Sequence, residues 1–281
     1  MQDTEEIIRT IYLISGSFGG INLEDISAPR CFEIETRLKE ICDIPVFHDD
    51  QHGTAIITGA AVINALKVAG KKIEDVKIVI NGAGAAGISI GKYLLDLGAK
   101  NVIWCDRKGV IVEGQEEINA AQAELPKISN PNKVTGLLSD ALVDADIFIG
   151  VSAPNIVSKD MIRSMADKAI VFPLANPVPE ISHDDAIEAG AYIVGTGSSK
   201  YPNQINNVLV FPGIFRGALD AGAKDINREM MIAASKAIAE SIPEDKLSPE
   251  NIIPLAFDES VHKKVAEKVA EAARASGVAR K

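Results

Sequence analysis

The fold is decided by one stretch of sequence, Val76-Lys77-Ile78-Val79-Ile80-Asn81-Gly82-Ala83-Gly84-Ala85-Ala86-Gly87. An apolar, β-branched run predicts a strand, three glycines follow with the spacing G-x-G-x-x-G, and a helical pattern begins directly after them. The glycines allow a tight turn, close approach of the backbone to a phosphate, and close packing of helix on strand. The free N–H groups of the helix N-terminus suit a pyrophosphate. A glycine-rich turn without a ligand is the alternative, but the strand-turn-helix context favours dinucleotide binding at Gly82, Ala83, Gly84, Ala85 and Gly87.

Strand and helix signals alternate after this turn. Strands are predicted at 77–81, 101–106, 146–151, 169–174 and 191–194, with helices at 86–97, near Lys159 and near Asp184. This alternation is typical of an α/β fold with a Rossmann-type doubly wound parallel sheet. A helix is expected after Gly213, and two further helices at 227–241 and 258–275 close the chain. Before the sheet, the sequence suggests a strand at 11–14 and helices at 29–41 and 55–68.

Composition limits the class of protein. The chain has 281 residues, 47% of them hydrophobic, and a formal net charge of −10, which argues against nucleic-acid binding. No apolar run approaches the ~20 residues that span a bilayer, and the acidic N-terminus does not resemble a signal peptide. Three cysteines without metal-ligand spacing are typical of reduced thiols. We therefore expect a cytoplasmic protein without a membrane partner.

An acidic residue follows the second predicted strand. Asp106 lies 19 residues beyond Gly87, where a dinucleotide site places the acid that accepts hydrogen bonds from the adenine ribose. An ordinary Asp that caps a turn is the alternative. Arg107 and Lys108 come directly after it and suit a 2′-phosphate, so the sequence favours NAD, with NADP as the alternative.

Two pairs of adjacent carboxylates lie upstream of the glycine turn: Glu24 with Asp25, and Asp49 with Asp50. Adjacent carboxylates in apolar surroundings repel each other unless a cation or a proton is present. Hard oxygen ligands suit Mg²⁺ or Mn²⁺. Solvated loops, and a helix cap for Asp50, are the alternatives, but the two pairs together favour a metal site. His48 and His52 make a poor zinc site, and we assign both a structural role.

Amides form a third group. Asn176 follows a predicted strand at the sheet edge where ligands bind in open α/β sheets, and Asn203, Asn206 and Asn207 occur downstream. Such amides suit a carboxylate or the nicotinamide carboxamide. Turn-forming asparagines are the alternative, which we favour for Asn203 and Asn206.

Five stretches together resemble the bacterial and archaeal malic enzymes. They are residues 19–26 (GGINLEDI), 47–55 (FHDDQHGTA), 82–87 (GAGAAG), 176–177 (NP), and 201–218, which begins YPNQINN and ends FPGIFRGA. The resemblance covers nearly the whole chain. It implies oxidative decarboxylation of L-malate to pyruvate and CO₂, reduction of NAD or NADP, and a divalent metal, Mg²⁺ or Mn²⁺.

The resemblance also implies roles for single residues. Glu24, Asp25 and Asp50 match the metal ligands, and Asp49 matches the neighbouring acid of the catalytic network. Asn176 and Asn207 match the amides at malate and the nicotinamide, and the glycines with Asp106 match the dinucleotide site. It further divides the chain into a remnant of a metal- and substrate-binding domain (1–57), a dinucleotide-binding domain (58–222), and C-terminal helices that pack back on the substrate side (223–281).

The sequence departs from the family pattern near its start. The family carries a Tyr acid and a Lys base upstream of the metal ligands, but upstream of Glu24 this sequence has only Tyr12, in a different setting, and no lysine. Ser198 and Lys200 stand where many relatives have Arg and Asp. We expect a split subunit that meets an N-terminal-domain chain, a truncation, or a non-catalytic dinucleotide- and metal-binding relic. We also expect a homo-oligomer, an exposed apolar face, and slow turnover of malate by this chain alone.

Overall fold

The computed structural model describes residues 3–280. Its helices are α1 (Thr4–Ser15), α2 (Arg30–Ile41), α3 (Thr54–Ala69), α4 (Ala85–Asp96), α5 (Ala120–Ala123), α6 (Leu125–Ile128), α7 (Leu138–Leu142), α8 (Lys159–Arg163), α9 (His183–Glu188), α10 (Phe211–Asp220), α11 (Arg228–Ala239) and α12 (Glu259–Ala275). Its strands are β1 (Ile21–Leu23), β2 (Val46–His48), β3 (Lys77–Asn81), β4 (Asn101–Asp106), β5 (Gly109–Val110), β6 (Ile147–Gly150), β7 (Ile170–Pro173) and β8 (Ile193–Val194). A π-helical turn (Asp49–Gly53) precedes α3, and single 3₁₀ turns occupy Asn207–Leu209 and Glu244–Lys246.

The main sheet has the order β5-β4-β3-β6-β7-β8, and only β5, which hydrogen-bonds to β4, runs antiparallel. The register aligns Asn81 with Gly150, and Gly150 with Pro173, so β3, β6 and β7 end side by side. After β3 the chain forms β4 and β5 on one side of that strand, and it then crosses over to form β6, β7 and β8 on the other side. This reversal of strand order is where open α/β sheets bind ligands. The predicted α/β fold with a doubly wound sheet is confirmed.

The glycine turn packs as the sequence predicts. Gly82 has φ of +114°, and a Cβ there would lie 2.5 Å from the Val151 carbonyl oxygen. A Cβ on Gly87 would lie 1.7 Å from the Gly82 carbonyl oxygen, whereas one on Gly84 would meet nothing within 4 Å. Gly82 and Gly87 therefore allow close packing of α4, β3 and the loop after β6, whereas a side chain on Gly84 would enter open space.

The helix α3 lies in the core. Twelve of its sixteen residues are buried, and its one buried amide, Asn64, donates to the carbonyls of Ala239 and Ile252 at 2.9 and 3.0 Å. With the preceding π-helical turn it makes a segment, Asp49–Ala69, that is long and apolar enough to cross a membrane by length and composition alone. Because 72% of its most apolar window is buried inside the protein, the segment has the character of a core helix.

The predicted strand at 11–14 is wrong, because these residues belong to α1. Asp3 caps the helix by accepting from the backbone N–H of Glu6 at 3.0 Å. Ile7, Ile8 and Ile11 recur with helical spacing and pack with α2 and β2 in a small N-terminal core. Four apolar residues are too few to distinguish a strand from part of a helix.

One helix begins earlier than expected, and one predicted domain boundary falls within a helix. α10 begins at Phe211, so Gly213 lies inside it, where a Cβ would be 2.7 Å from the Val265 side chain of α12. The predicted domain boundary between residues 57 and 58 falls inside α3. The division into three segments stays a prediction.

Exposed apolar side chains gather at the end of α1. Tyr12, Leu13, Ile14 and Phe18 are each about half exposed or more. The exposed apolar face that the sequence analysis expects stays a prediction.

Replacing Gly87 with alanine tests the glycine packing. Because the added methyl would overlap the Gly82 carbonyl, we expect Gly87→Ala to lower the free energy of unfolding by about 2–3 kcal/mol. The matched control is Gly84→Ala, whose methyl enters open space and should change the value by less than about 0.5 kcal/mol. Urea denaturation followed by circular dichroism measures both. Equal effects of the two substitutions would contradict this account of the turn.

Candidate functional site

The two carboxylate pairs meet because β1 and β2 pair in parallel. Their register aligns Leu23 with His48, so the residues that follow each strand leave the small sheet side by side. The backbone N–H of Asp25 donates to Asp50 Oδ2 at 2.9 Å. Asp25 has φ of +56°, in the left-handed region. Such a conformation at a non-glycine residue is held by its surroundings and is common at functional sites.

Asp49 is the buried member of the group, with 6% of its surface exposed. Its Oδ2 accepts a short hydrogen bond from Asn207 Nδ2. A Cβ on Gly53 would lie 1.9 Å from Asp49 Oδ1, so only glycine fits beside this carboxylate in the π-helical turn. Burial, then the charges of Glu24 and Asp50, raise the pKa of Asp49 to about 7. The site therefore concentrates negative charge.

This charge suits a hard cation, although the ligands are not gathered in the structure. Among residues 3–280, no group of three or more His, Cys, Asp or Glu side chains is arranged to hold a metal ion. Glu24 and Asp25 are exposed, and Asp49 Oδ1 is buried without a hydrogen-bond partner. Carboxylate oxygens are the ligands that Mg²⁺ and Mn²⁺ prefer. The donor chemistry fits such an ion, and the predicted set of Glu24, Asp25 and Asp50 stays a prediction.

The predicted dinucleotide residues line a cleft of about 720 Å³ at the carboxyl ends of β3, β4 and β6. Gly82, Ala83, Gly84 and Asp106 all contribute to its wall. Asp106 Oδ1 accepts from the backbone N–H of Lys108 at 2.7 Å, which fixes its carboxylate. The turn continues through Ala85 and Gly87 into a neighbouring groove that also contains Asp25 and Asp50. The glycine turn therefore separates the dinucleotide cleft from the carboxylates.

A second cleft, of about 420 Å³, brings three of the remaining predicted residues together. Asp50, Asn176 and Asn207 line it, and Ser152 lines both this cleft and the dinucleotide cleft. Asn176 is exposed just after β7. The π-helical turn and the segments that follow β6 and β7 thus line one cavity. A small polar substrate in it would touch both a carboxylate and an amide.

Residues 51–274 match the family model described as the malic enzyme, NAD binding domain. The chain belongs to the malic enzyme family. It is 54% identical over 279 residues to a bifunctional malic/malolactic enzyme of Bacillus subtilis, covering 99% of this chain and 68% of that protein. It is 46% identical over 297 residues to an NADP-dependent malic enzyme of Halomonas elongata, covering 100% of this chain and 69% of that protein.

A solved structure agrees. The crystal structure of an NAD-dependent malic enzyme from Thermotoga maritima superposes with a TM-score of 0.92 at 51% identity, covering 96% of this chain and 71% of that one. The present chain thus spans between 68 and 71% of these three malic enzymes. The fold and the family are shared along nearly all of its length.

Both histidines beside the acid pair make structural contacts in this malic enzyme chain. His48 is fully buried, with Nε2 3.3 Å from the Ile26 carbonyl and Nδ1 3.9 Å from Asp50 Oδ2. His52 Nε2 lies 2.7 Å from Glu35 Oε1. The His48 ring ties the end of β2 to the loop after β1, and the His52 ring ties the π-helical turn to α2, as the structural assignment predicts.

Asn203 and Asn206 both make structural hydrogen bonds, and Asn206 also lines the second cleft. Asn203 donates to the carbonyls of Val194 and Pro249, at 3.0 and 2.8 Å, and accepts from Ile252 N–H at 2.9 Å. Asn206 Oδ1 accepts from Val208 N–H at 3.0 Å. Their side chains hold the chain around the 3₁₀ turn that carries Asn207.

Two buried carboxylates were missed by the sequence analysis. Glu35 holds the π-helical turn through His52 and through Gln51 Nε2, which donates to Glu35 Oε2 at 3.3 Å. Glu180 lies behind the loops after β6 and β7 and is completely buried. Neither glutamate belongs to a motif. For Glu35, the one available signal is its place on the buried face of a predicted helix.

Glu35 gives a pH-dependent prediction. Burial opposes its ionisation, but the His52 hydrogen bond and charge, with Lys39, outweigh burial and hold the pKa of Glu35 below its usual range. Ionised Glu35 therefore stabilises the fold above the ordinary glutamate pKa, and this stabilisation is lost as the pH falls through the folded value. We expect Glu35→Gln to cost about 2 kcal/mol at pH 7 and progressively less in acid.

Urea denaturation of wild type and variant from pH 7 to about pH 3 measures this difference. Glu33→Gln is the matched control, because Glu33 lies on the same helix with its side chain 56% exposed and should change stability little. A cost that does not fall once the pH drops below the ordinary glutamate pKa would show that Glu35 is not stabilising as an anion.

Proposed function

We propose that this chain serves NAD(P)-dependent oxidative decarboxylation of L-malate to pyruvate and CO₂, using a divalent metal held by Glu24, Asp25 and Asp50. The observation that carries the proposal is the shared cleft, in which Asp50, Asn176 and Asn207 line one cavity beside the dinucleotide cleft. Malate carries two carboxylates and a hydroxyl, which suit a cation on one side and amide donors on the other. The names of the relatives support the same substrate.

The chain's own residues supply binding and orientation. The first turn of α4 begins at Ala85, and its N-cap, Gly84, has no side chain to occupy the free N–H groups, which suit a pyrophosphate. Asn207 is oriented by its hydrogen bond to Asp49, and Asp50 by the N–H of Asp25. When bound, a metal supplies Lewis-acid chemistry toward the malate hydroxyl, and the dinucleotide accepts a hydride.

We propose NAD rather than NADP as the preferred dinucleotide. Asp106 lies in the dinucleotide cleft with its carboxylate fixed by Lys108 N–H. Its negative charge would accept from the ribose hydroxyls and repel a 2′-phosphate. Lys108 also pairs through its ammonium with Glu117, which reduces its availability to a phosphate.

We further propose that the acid and base of the reaction come from outside the described residues, for example from a partner chain. The resemblance implies a Tyr and a Lys for these roles. Tyr12, the tyrosine upstream of Glu24, is 49% exposed on α1 and is not among the residues that line the two clefts. The 281-residue chain alone should then bind dinucleotide and metal but turn over malate slowly.

Titration calorimetry tests the metal part of the proposal. We expect the 281-residue chain to bind NAD⁺ and Mn²⁺, and Asp50→Asn to weaken Mn²⁺ by at least about tenfold. NAD⁺ affinity should stay within about twofold, because Asp50 lies across the glycine turn from the dinucleotide cleft.

The matched control is Asp167→Asn, which removes the same charge from an exposed residue just before β7, at the other end of the sheet. It should leave both affinities unchanged. Unchanged Mn²⁺ binding in Asp50→Asn would contradict the metal site. Rapid malate-dependent formation of NADH by this chain alone would contradict the need for outside groups.

Replacing Asp106 tests the dinucleotide preference. We expect Asp106→Asn to weaken NAD⁺ by about tenfold, because a charged acceptor is lost, and to narrow the preference for NAD⁺ over NADP⁺. Fluorescence titration with both dinucleotides measures the ratio. Glu116→Gln removes the same charge from an exposed neighbour and serves as the control. A wild type that favours NADP⁺ would contradict this assignment.

A further inference from the structure

Glu180 is a completely buried carboxylate at the carboxyl ends of the strands. Its Oε1 accepts from Ser152 N–H at 2.8 Å and from Ser152 Oγ at 3.2 Å. Its Oε2 accepts from Ala175 N–H at 3.1 Å. One side chain therefore joins the loop after β6 to the loop after β7. Charge-assisted hydrogen bonds of this kind are roughly twice as strong as neutral ones.

The contacts extend to a third strand. Asn81, the last residue of β3, donates from Nδ2 to Ser152 Oγ at 2.7 Å. Asn81, Gly150 and Pro173 are aligned in the sheet register. Asn81, Ser152 and Glu180 thus form a polar chain that crosses the ends of β3, β6 and β7.

Gly150 makes room for this carboxylate. A Cβ on Gly150 would lie 2.4 Å from Glu180 Cδ and within 2.7 Å of both carboxylate oxygens. Gly150 is not among the glycines with positive φ, so its backbone does not require glycine. The space is therefore used by the Glu180 carboxyl group.

The two joined loops line the binding clefts. Ser152 lines both the dinucleotide cleft and the second cleft, and Ala175 with Asn176 lines the second cleft. Asp106 marks the adenosine end of the dinucleotide cleft, and the glycine turn marks the pyrophosphate. The nicotinamide of a bound dinucleotide would therefore extend toward Ser152 and Asn176.

We propose that Glu180 is a positioning residue, which fixes the loops after β6 and β7 to each other and so shapes the nicotinamide end of the cleft. This inference rests on the proposed dinucleotide binding. The carboxylate does not line the clefts itself and acts through Ser152 and Ala175. Its loss should disturb the nicotinamide end and leave the adenosine end intact.

Binding of NAD⁺ and of ADP-ribose, which lacks the nicotinamide, separates the two ends. In Glu180→Gln the amide group cannot accept from both N–H groups, so we expect NAD⁺ to bind about tenfold more weakly. ADP-ribose should bind within about twofold of wild type, because Asp106 and the glycine turn are unchanged. Glu188→Gln, on the exposed surface of α9, is the matched control and should change neither.

Gly150→Ala is the second variant, and it tests the positioning role of Glu180 if Glu180→Gln does not fold. Its methyl displaces the Glu180 carboxylate, so the same selective loss of NAD⁺ binding is expected. Equal weakening of both ligands, or no weakening of either, would overturn the positioning role while leaving dinucleotide binding in place. A wild-type chain that binds neither ligand would overturn dinucleotide binding, and the inference with it.

Discussion

The close approach of backbone to backbone at the glycine turn is the constraint on which the structure depends. Gly82 meets the carbonyl of Val151, and Gly87 meets the carbonyl of Gly82, at distances that exclude any side chain. These contacts draw α4, β3 and the loop after β6 together at the point where strand order reverses. A side chain at either position would push these elements apart and so disrupt the wall of the dinucleotide cleft. Packing and ligand binding thus impose the same requirement on these glycines.

Parallel strand pairing does the remaining work of bringing the functional groups together. In the main sheet, the register of Asn81, Gly150 and Pro173 makes three loops start at one edge. In the small sheet, Leu23 beside His48 makes two carboxylate pairs leave at one edge. Residues far apart in sequence then become neighbours without any long loop. The carboxyl ends of both sheets point toward the glycine turn. The dinucleotide cleft and the carboxylates therefore lie on either side of this turn.

Features set by local pattern could be predicted from the sequence, and features set by distant contacts could not. The limits of β3 and β4 were predicted without error, because buried β-branched runs bounded by turn residues leave little choice. The run at 11–14 was misassigned because it is the last part of a helical pattern that begins at Thr4. Glu35 and Glu180 escaped prediction because what they contact lies 17 and 28 residues away along the chain. Neighbouring sequence does not indicate that such a carboxylate is buried.

The buried carboxylates of this chain differ in whether both of their oxygens accept hydrogen bonds. Glu180 and Glu35 are buried, and both oxygens of each accept hydrogen bonds. A buried carboxylate whose two oxygens both accept hydrogen bonds from the protein holds in place the groups that donate to it. Asp49 is buried with Oδ1 unpartnered, and burial, followed by the charges of Glu24 and Asp50, raises its pKa to about 7. Carboxylates that lack hydrogen-bond partners and repel each other can still bind a cation or a proton. The satisfied carboxylates therefore act as scaffold, and the unsatisfied group lies beside the shared cleft, as the proposed metal site requires.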